Sequence, residues 1–284
     1  MTSSGASTPS DPQPQGPIVL LGRPCDNTVA VARGLQDEGI ALTAAILADP
    51  SAPREASPPE PGIPPWYRSP SPRATRRLLE QLEPDLVIAA CYPWRLSARA
   101  RAIPRFGILN MHPSPLPHGR GPDPTFWVFR NGERNAGVTI HLTDDGLDTG
   151  PILIQQVLAV PEEMDAAKLE LHLFESGARL AAGILPQVLT GAATYVPQDH
   201  DAATYQPAPV AQDWLISPLL PAAWAWRFAR GVESLHGPLT VQSRGTLVPV
   251  RRAIAWGEQC SPLPEPPPGT LLVQFRPGWV LFEQ

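Results

Sequence analysis

Asn110, His112 and Asp148 are residues whose types and spacing could serve one reaction. A carboxamide can donate to an oxygen that turns negative in a tetrahedral adduct, and an imidazole can take up and return a proton near neutral pH. A carboxylate beside that ring can orient it and raise its basicity. Together they suit attack of a nucleophile on a carbonyl carbon, with no metal and no covalent intermediate required. Taken singly, each has a plainer role: Asn110 a turn cap, His112 a satisfied structural histidine, Asp148 an Asx-turn residue in a Gly-rich loop. Their joint occurrence carries the catalytic reading.

Such a trio needs elements to place it. Phe106, Ile108 and Leu109 predict a short buried strand, and side chains two apart on a strand share one side. Asn110 and His112 therefore emerge together. Pro113 cannot donate to a strand ladder, so the strand should end at His112. That leaves the pair at a carboxyl edge, where open α/β sheets bind ligands. Upstream, residues 18–21 read as a first strand, and Asp26 should cap a helix running to about Gln36 before a Gly39 turn. Residues 41–47 form a second expected strand, and the Pro, Ser and Glu-rich stretch 49–66 a surface loop. A helix over 73–82, an apolar strand over 86–90 and a short helix near Ser97 follow. This alternation predicts an α/β fold with a parallel, doubly wound sheet.

Past His112 the pattern changes. Residues 138–142 and 152–160 predict a hairpin joined by the turn-rich segment 143–151, and 165–189 a long amphipathic helix closing the domain against the sheet. Residues 191–215 lack periodicity and read as a linker. Residues 216–284 offer a Trp-rich helix over 222–231 and short β segments separated by Gly and Pro. A β domain this small is short of core and should lean on the first through Trp214, Trp224 and Trp226.

Composition narrows the classes. The chain has 284 residues, 43% of them hydrophobic and 17% charged, room for one large and one small domain. No apolar run approaches the roughly 20 residues of a membrane span, and residues 1–16 read as a disordered tail, not an address. Cys25, Cys91 and Cys260 are scattered without a CxxC, which indicates neither a disulfide framework nor a zinc knuckle and fits a reducing cytoplasm. Net charge is -5 and Lys168 is the one lysine, so no broad nucleic-acid footprint is expected. Two arginine groups stand out, Arg68, Arg73, Arg76 and Arg77, and Arg95, Arg99, Arg101 and Arg105. They read either as solvated helix faces or as a hold on a phosphate-bearing ligand. Gly22-Arg23-Pro24-Cys25 lacks the later glycines of a dinucleotide fingerprint, and no GxSxG, HExxH or P-loop is present.

The run Asn110-Met111-His112-Pro113-Ser114-Pro115-Leu116-Pro117-His118-Gly119-Arg120-Gly121 resembles the folate-dependent formyltransferases, whose strand reads Asn-x-His-x-Ser-x-Leu-Pro before an Arg-Gly or Lys-Gly turn. A second block, Gly137-Val138-Thr139-Ile140-His141 through Asp145-Gly146-Leu147-Asp148-Thr149-Gly150-Pro151-Ile152, resembles that family's other motif, and the 38 residues from Asn110 to Asp148 match its interval. The resemblance implies a Rossmann-like catalytic domain over 17–190 and a small OB-like β domain over 216–284. It further implies 10-formyltetrahydrofolate as co-substrate, no metal, and direct transfer of the formyl group to an amine. Asn110, His112 and Asp148 become the catalytic trio: Asn110 polarising the oxyanion, His112 in acid/base work, Asp148 orienting and relaying protons. The folate pocket would be lined by the loop of Ala90, Cys91 and Tyr92 and by Thr143, Asp144, Asp145 and Gly146, with Leu96 and Ile108 as apolar walls. A packing role for Cys91 stands equally open. Ser114, His118 and Arg120 would border the acceptor, while His141, His172, His200 and His236 read as structural or surface residues.

The acceptor is less determined. Methionyl-tRNA formyltransferases carry a basic inserted loop early in the chain, whereas residues 48–66 here hold Asp49, Glu55 and Glu60 against Arg54. The β tail ends at Gln284, before the last strands expected of a full tRNA-binding domain. A small amine is therefore the expected acceptor: an amino sugar, an amino acid or a secondary-metabolite precursor. Methionyl-tRNA formylation, and hydrolysis or simple binding of formyl-folate, are the alternatives. A cytoplasmic location without nucleic-acid or membrane partners is expected, and a homodimer is left open.

Overall fold

β1 (Ile18–Gly22), β2 (Ala44–Ala48), β3 (Trp66–Ser69), β4 (Leu86–Ala90) and β5 (Ile108–His112) lie parallel, the first, second and fourth of them apolar and buried along their whole length. Such runs belong to strands covered on both faces. β6 (Asn135–Leu142) and β7 (Ile152–Ala159) complete the sheet as an antiparallel hairpin, giving the order β3-β2-β1-β4-β5-β6-β7. The computed structural model describes residues 16–51, 64–259 and 263–284. The expected N-terminal tail, apart from Gly16, most of the Pro-rich stretch 49–66 and Cys260 lie outside the described residues.

Five helices cover the sheet: α1 (Asp26–Asp37), α2 (Pro72–Leu82), α3 (Ala98–Arg101), α4 (Pro124–Arg130) and α5 (Ala166–Leu189). Strand alternation sorts the core into two layers. Ile18, Leu20, Leu109 and Met111 join Val31 and Leu35 of α1 and Leu173 of α5. Val19, Leu21 and Ile108 join Leu79 of α2 and Ala100 of α3. Each fully buried side chain of this size contributes roughly 1.5–3 kcal/mol, so β5 is clamped from both faces. Ser71, Ser97 and Asp165 cap α2, α3 and α5 through their side-chain oxygens.

The doubly wound fold expected from the sequence is the one observed, with local differences. The cap of α1 is Cys25, one residue before the expected Asp26, and β2 begins at Ala44. β3 and α4 had no clear signal: β3 is a four-residue edge strand of mixed polarity, and α4 packs Thr125, Phe126, Val128 and Phe129 inward with little polar face to mark a helical period.

Residues 191–215 are bound to the sheet domain. Val196 and Ile152 exchange both backbone hydrogen bonds at 2.8 Å, while Arg120 N donates to Thr204 O (3.0 Å) and Gln206 N to Arg120 O (2.7 Å). Beyond them lie β8 (Leu215–Ile216), α6 (Ala222–Gly231), β9 (Thr240–Ser243), β10 (Thr246–Pro249), β11 (Arg252–Gly257), β12 (Thr270–Gln274) and β13 (Trp279–Glu283). They make two small sheets, β10-β9-β8 and β11-β13-β12. Trp214 packs on Phe126 at 4.9 Å between ring centroids, and Trp224 Nε1 donates to Arg130 O at 3.1 Å. Trp226 does not join this contact. It stacks on Trp256, because its side of α6 faces β11. Among the described residues no helix is long and apolar enough to cross a membrane.

Candidate active site

The chain leaves β1 for β2 and β3 on one side, then returns to β4 on the other. The carboxyl ends of β1 and β4 therefore flank a topological switch point, the position at which open α/β sheets bind ligands. β5 is the next strand. Asn110 and His112 stand at its carboxyl end, side chains toward one side, and the loop between β6 and β7 brings Asp148 to them.

Asp148 is the centre of the arrangement. Its Oδ1 lies 3.4 Å from Asn110 Nδ2, 3.7 Å from His112 Nδ1 and 3.9 Å from His141 Nε2, and its Oδ2 accepts from Gly121 N at 3.0 Å. His112 and Asp148 are 5% and 9% exposed, whereas Asn110 is partly open. His112 Nε2 donates to Gly119 O at 2.9 Å, which turns Nδ1 toward the carboxylate and makes it the ring atom able to exchange a proton.

His141, expected to be a structural or surface residue, is buried and lies directly against the trio. It faces Asn110 across the β5–β6 ladder. Its Nδ1 donates to Leu142 O at 3.1 Å, so Nε2 is left to accept from Asn110 Nδ2, also at 3.1 Å. Burial, assisted by the neighbouring His112, lowers the His141 pKa from 6.5 to about 4 and keeps the ring neutral. Both neighbours of the Asn110 amide are thus acceptors, which sets its NH2 group inward. The signal was the alternation along β6, with His141 two residues from Thr139, but only the antiparallel register shows that it meets Asn110.

Of the residues expected at the acceptor, Arg120 is committed elsewhere, while Ser114 and His118 line one cavity. Arg120, 8% exposed, donates through Nε and Nη2 to Gln198 Oε1 (3.2 and 2.7 Å) and through Nη2 to His200 Nδ1 (3.2 Å). Ser114 is buried, and its Oγ donates to His118 O at 2.8 Å to hold the turn. His118 is exposed and borders a cavity of about 740 Å³ between this turn, α4 and residues 204–207, which Trp127, Glu133 and Tyr205 also line.

The expected folate-binding residues divide in the same way. Ile108 and Ala90 are completely buried in the two core layers, where their side chains serve packing, and Leu96 lies nearly as deep. Cys91, at the end of β4, has a left-handed backbone (φ 57°) and is half-buried. Its thiol interacts with that of Cys25, the cap of α1, an interaction that lowers the Cys25 pKa and, together with burial, pushes that of Cys91 up. Tyr92 is partly exposed, its hydroxyl donating to Thr75 Oγ1 at 2.8 Å. Asp144 is spent within its own turn, its Oδ1 accepting from Gly146 N (2.9 Å) and Thr149 Oγ1 (2.6 Å). Asp145 pairs with Arg101, whose Nη1 also donates to Leu96 O, so one side chain ties residues 143–147 to the segment before α3. Gly146 is exposed, and the Thr143 hydroxyl is buried with no partner. Of the two arginine groups, Arg68 pairs with Asp49, Arg76 with Glu80, and Arg105 lies over the Phe106 ring, uses internal to the chain. Among the described residues no group of three or more His, Cys, Asp or Glu is arranged to hold a metal ion.

Residues 42–188 match a family model described as formyl transferase. The chain is 35% identical over 194 residues to a methionyl-tRNA formyltransferase of Roseiflexus sp. (strain RS-1), covering 68% of this chain and 58% of that protein. It thus spans about three fifths of that relative's length. A methionyl-tRNA formyltransferase of Synechococcus sp. (strain JA-3-3Ab) is 30% identical over 265 residues, 91% of this chain and 74% of that one. Among solved structures, an N-formyltransferase from Helicobacter canadensis, described in complex with folinic acid and dTDP-3-aminofucose, has the same fold with a TM-score of 0.65 at 14% identity, over 94% of this chain and 98% of that one.

Proposed function

Because the chain belongs to the formyl transferase family, we propose that it transfers a formyl group from 10-formyltetrahydrofolate to the amine of a small molecule: an amino sugar, an amino acid or a biosynthetic precursor. One observation carries the catalytic assignment: a single carboxylate oxygen of Asp148 lies within 3.4 to 3.9 Å of Asn110, His112 and His141 at the carboxyl edge of β5.

The residues present fit a folate. The unpartnered Thr143 hydroxyl and the left-handed peptide at Cys91 supply polar groups beside the site, and Cys91, Tyr92, Thr143 and Gly146 would hold the ligand. When bound, it supplies an activated formyl carbon attached to a nitrogen leaving group. Asn110 Nδ2 donates to the oxygen that becomes negative as an amine attacks, exchanging its long contact with Asp148 for a stronger one. His112 holds and moves the proton at Nδ1. Asp148 keeps that ring in place and stabilises its charged form, with Gly121 N anchoring the carboxylate from behind.

A small acceptor is supported by the net charge of -5 and by the match to nearly the whole length of the Helicobacter canadensis enzyme, whose described ligand is a nucleotide-linked amino sugar. The named relatives favour a second reading, formylation of methionyl-tRNA. Incubating the purified protein with 10-formyltetrahydrofolate and either a panel of small amines and nucleotide-linked amino sugars or methionylated initiator tRNA separates the two. The product is read by mass and tetrahydrofolate release by absorbance. Formylation of a small amine is expected. Selective formylation of the tRNA establishes the second reading, formate release without any acceptor indicates a hydrolase, and folate binding without transfer to any amine sinks both transfer readings.

A further inference from the structure

Gln198 stands 50 residues beyond Asp148 in a segment with no secondary-structure period, yet it is 6% exposed and reaches the centre of the site. We propose that Gln198 is a positioning residue: by bridging the Asp148 main chain to Arg120 it sets the Asp148 carboxylate against His112, which makes residues 196–206 a working part of the site. This rests on the formyl-transfer reading above.

Every hydrogen-bonding capacity of the Gln198 amide is used. Nε2 donates to Asp148 O at 2.9 Å and Gly150 O at 2.7 Å, and Oε1 accepts both Arg120 Nε and Nη2. Turning the amide over would set its NH2 against the guanidinium and its oxygen against two carbonyls, so these partners admit one orientation. The two carbonyls it grips are that of Asp148 itself, whose φ of 56° is left-handed, and that of Gly150 two residues on. A non-glycine residue at such a φ is strained and needs to be held by its surroundings. On the other side, Arg120 immediately precedes Gly121, whose N–H holds Asp148 Oδ2. Gln198 therefore fixes Asp148 twice, at its backbone and, through Arg120, at the donor that anchors its carboxylate.

The segment is itself anchored on both flanks of Gln198. Val196 is hydrogen-bonded to Ile152, while Thr204 and Gln206 are bonded to the backbone of Arg120, and Thr204 Oγ1 accepts from Gly119 N at 2.8 Å. Gly121 permits the close approach: at φ 116°, a Cβ there would stand 2.1 Å from Gln206 O.

Two variants separate positioning from simple packing. Q198M removes both halves of the bridge at similar size. Q198E keeps an acceptor for Arg120 but loses both donors to the Asp148 and Gly150 carbonyls. Steady-state kinetics and amide hydrogen exchange by mass spectrometry are measured on the full chain. Both variants are expected to lower kcat at least tenfold with KM for formyl-folate within about threefold, and to speed exchange in 143–151 while peptides of β1 and β2 stay unchanged. Q198E leaves exchange in 114–121 near wild type. Wild-type kcat in Q198E, a loss confined to KM, or unchanged exchange in 143–151 in both variants would overturn the proposal. If one variant fails to fold, the other decides by the same readouts. Should the wild-type protein transfer no formyl group at all, the reading beneath fails, and the exchange measurement still decides whether Gln198 holds Asp148.

Discussion

His141 controls the orientation of Asn110 by staying neutral, and that neutrality has a measurable cost. Its pKa of about 4 in the folded chain lies below the ordinary 6.5, so between those values the unfolded chain binds a proton that the folded chain refuses. Stability from this group is complete above about pH 6.5 and is lost as pH falls through 4, by on the order of 3 kcal/mol at most. Thermal melting from pH 7.5 to 4.5 should show a falling Tm, and His141→Gln should flatten the fall; a variant with the wild-type slope counts against the assignment. At the chemistry itself, His112→Ala and Asp148→Asn should each lower kcat by about 100-fold or more in protein that remains folded, since general acid–base catalysis contributes that much. An Asp148→Asn protein with near-normal turnover removes that carboxylate from the mechanism. Cys25 offers a third test. The Cys91 thiol lowers the Cys25 pKa while that of Cys91 is raised, so peptide mapping after limited iodoacetamide treatment should find Cys25 modified ahead of Cys91, an advantage that Cys91→Ser should diminish. What could be read beforehand at this scale follows from locality. Asn110 and His112 share a strand, and period two places them together. His141 needed the register of a second strand, and Arg120 looked available because no linear pattern reveals that Gln198 and His200 close over it.

Between elements, the contact of α4 with α6 joins the two parts of the chain. Gly231 ends α6 against the Phe129 ring, where a Cβ would meet ring carbons at 2.1 to 2.6 Å. Gly231→Ala should therefore cost roughly 1–3 kcal/mol, the range for overpacking a filled core, visible as a lowered urea midpoint. An unchanged midpoint would show that the ring can move aside. Arg130 supports the same contact, its guanidinium 5.3 Å from the Trp224 and Phe228 rings and its Nη1 donating to Leu215 O. Elements with a long, clean period were legible: the apolar strands β1, β4 and β5, the β6–β7 hairpin and the 24-residue α5. α4 escaped because it is seven residues long and mostly buried, and residues 191–215 because their order comes from bonds to distant residues.

Across the whole molecule, one buried apolar cluster runs from Ile18 through Phe126 and Phe174 to Phe228, Val241 and Phe282. Calorimetry should accordingly show one cooperative unfolding transition, and two separated transitions would mean that the C-terminal sheets melt independently. The doubly wound order was legible because strand and helix alternate with short links, whereas the way the C-terminal part seats itself was only partly so: Trp214 and Trp224 meet the first domain and Trp226 does not. The backbone bonds between Arg120 and residues 204–206 also bear on how this chain can be recombined with its relatives. A chimera joined near residue 190, where the long helix ends, would take Gln198 from the foreign parent and pair a native Asp148 with an unmatched brace. A junction placed after Pro207 keeps the brace and the carboxylate from the same parent, and is the boundary at which C-terminal portions can be exchanged while the reaction centre stays native.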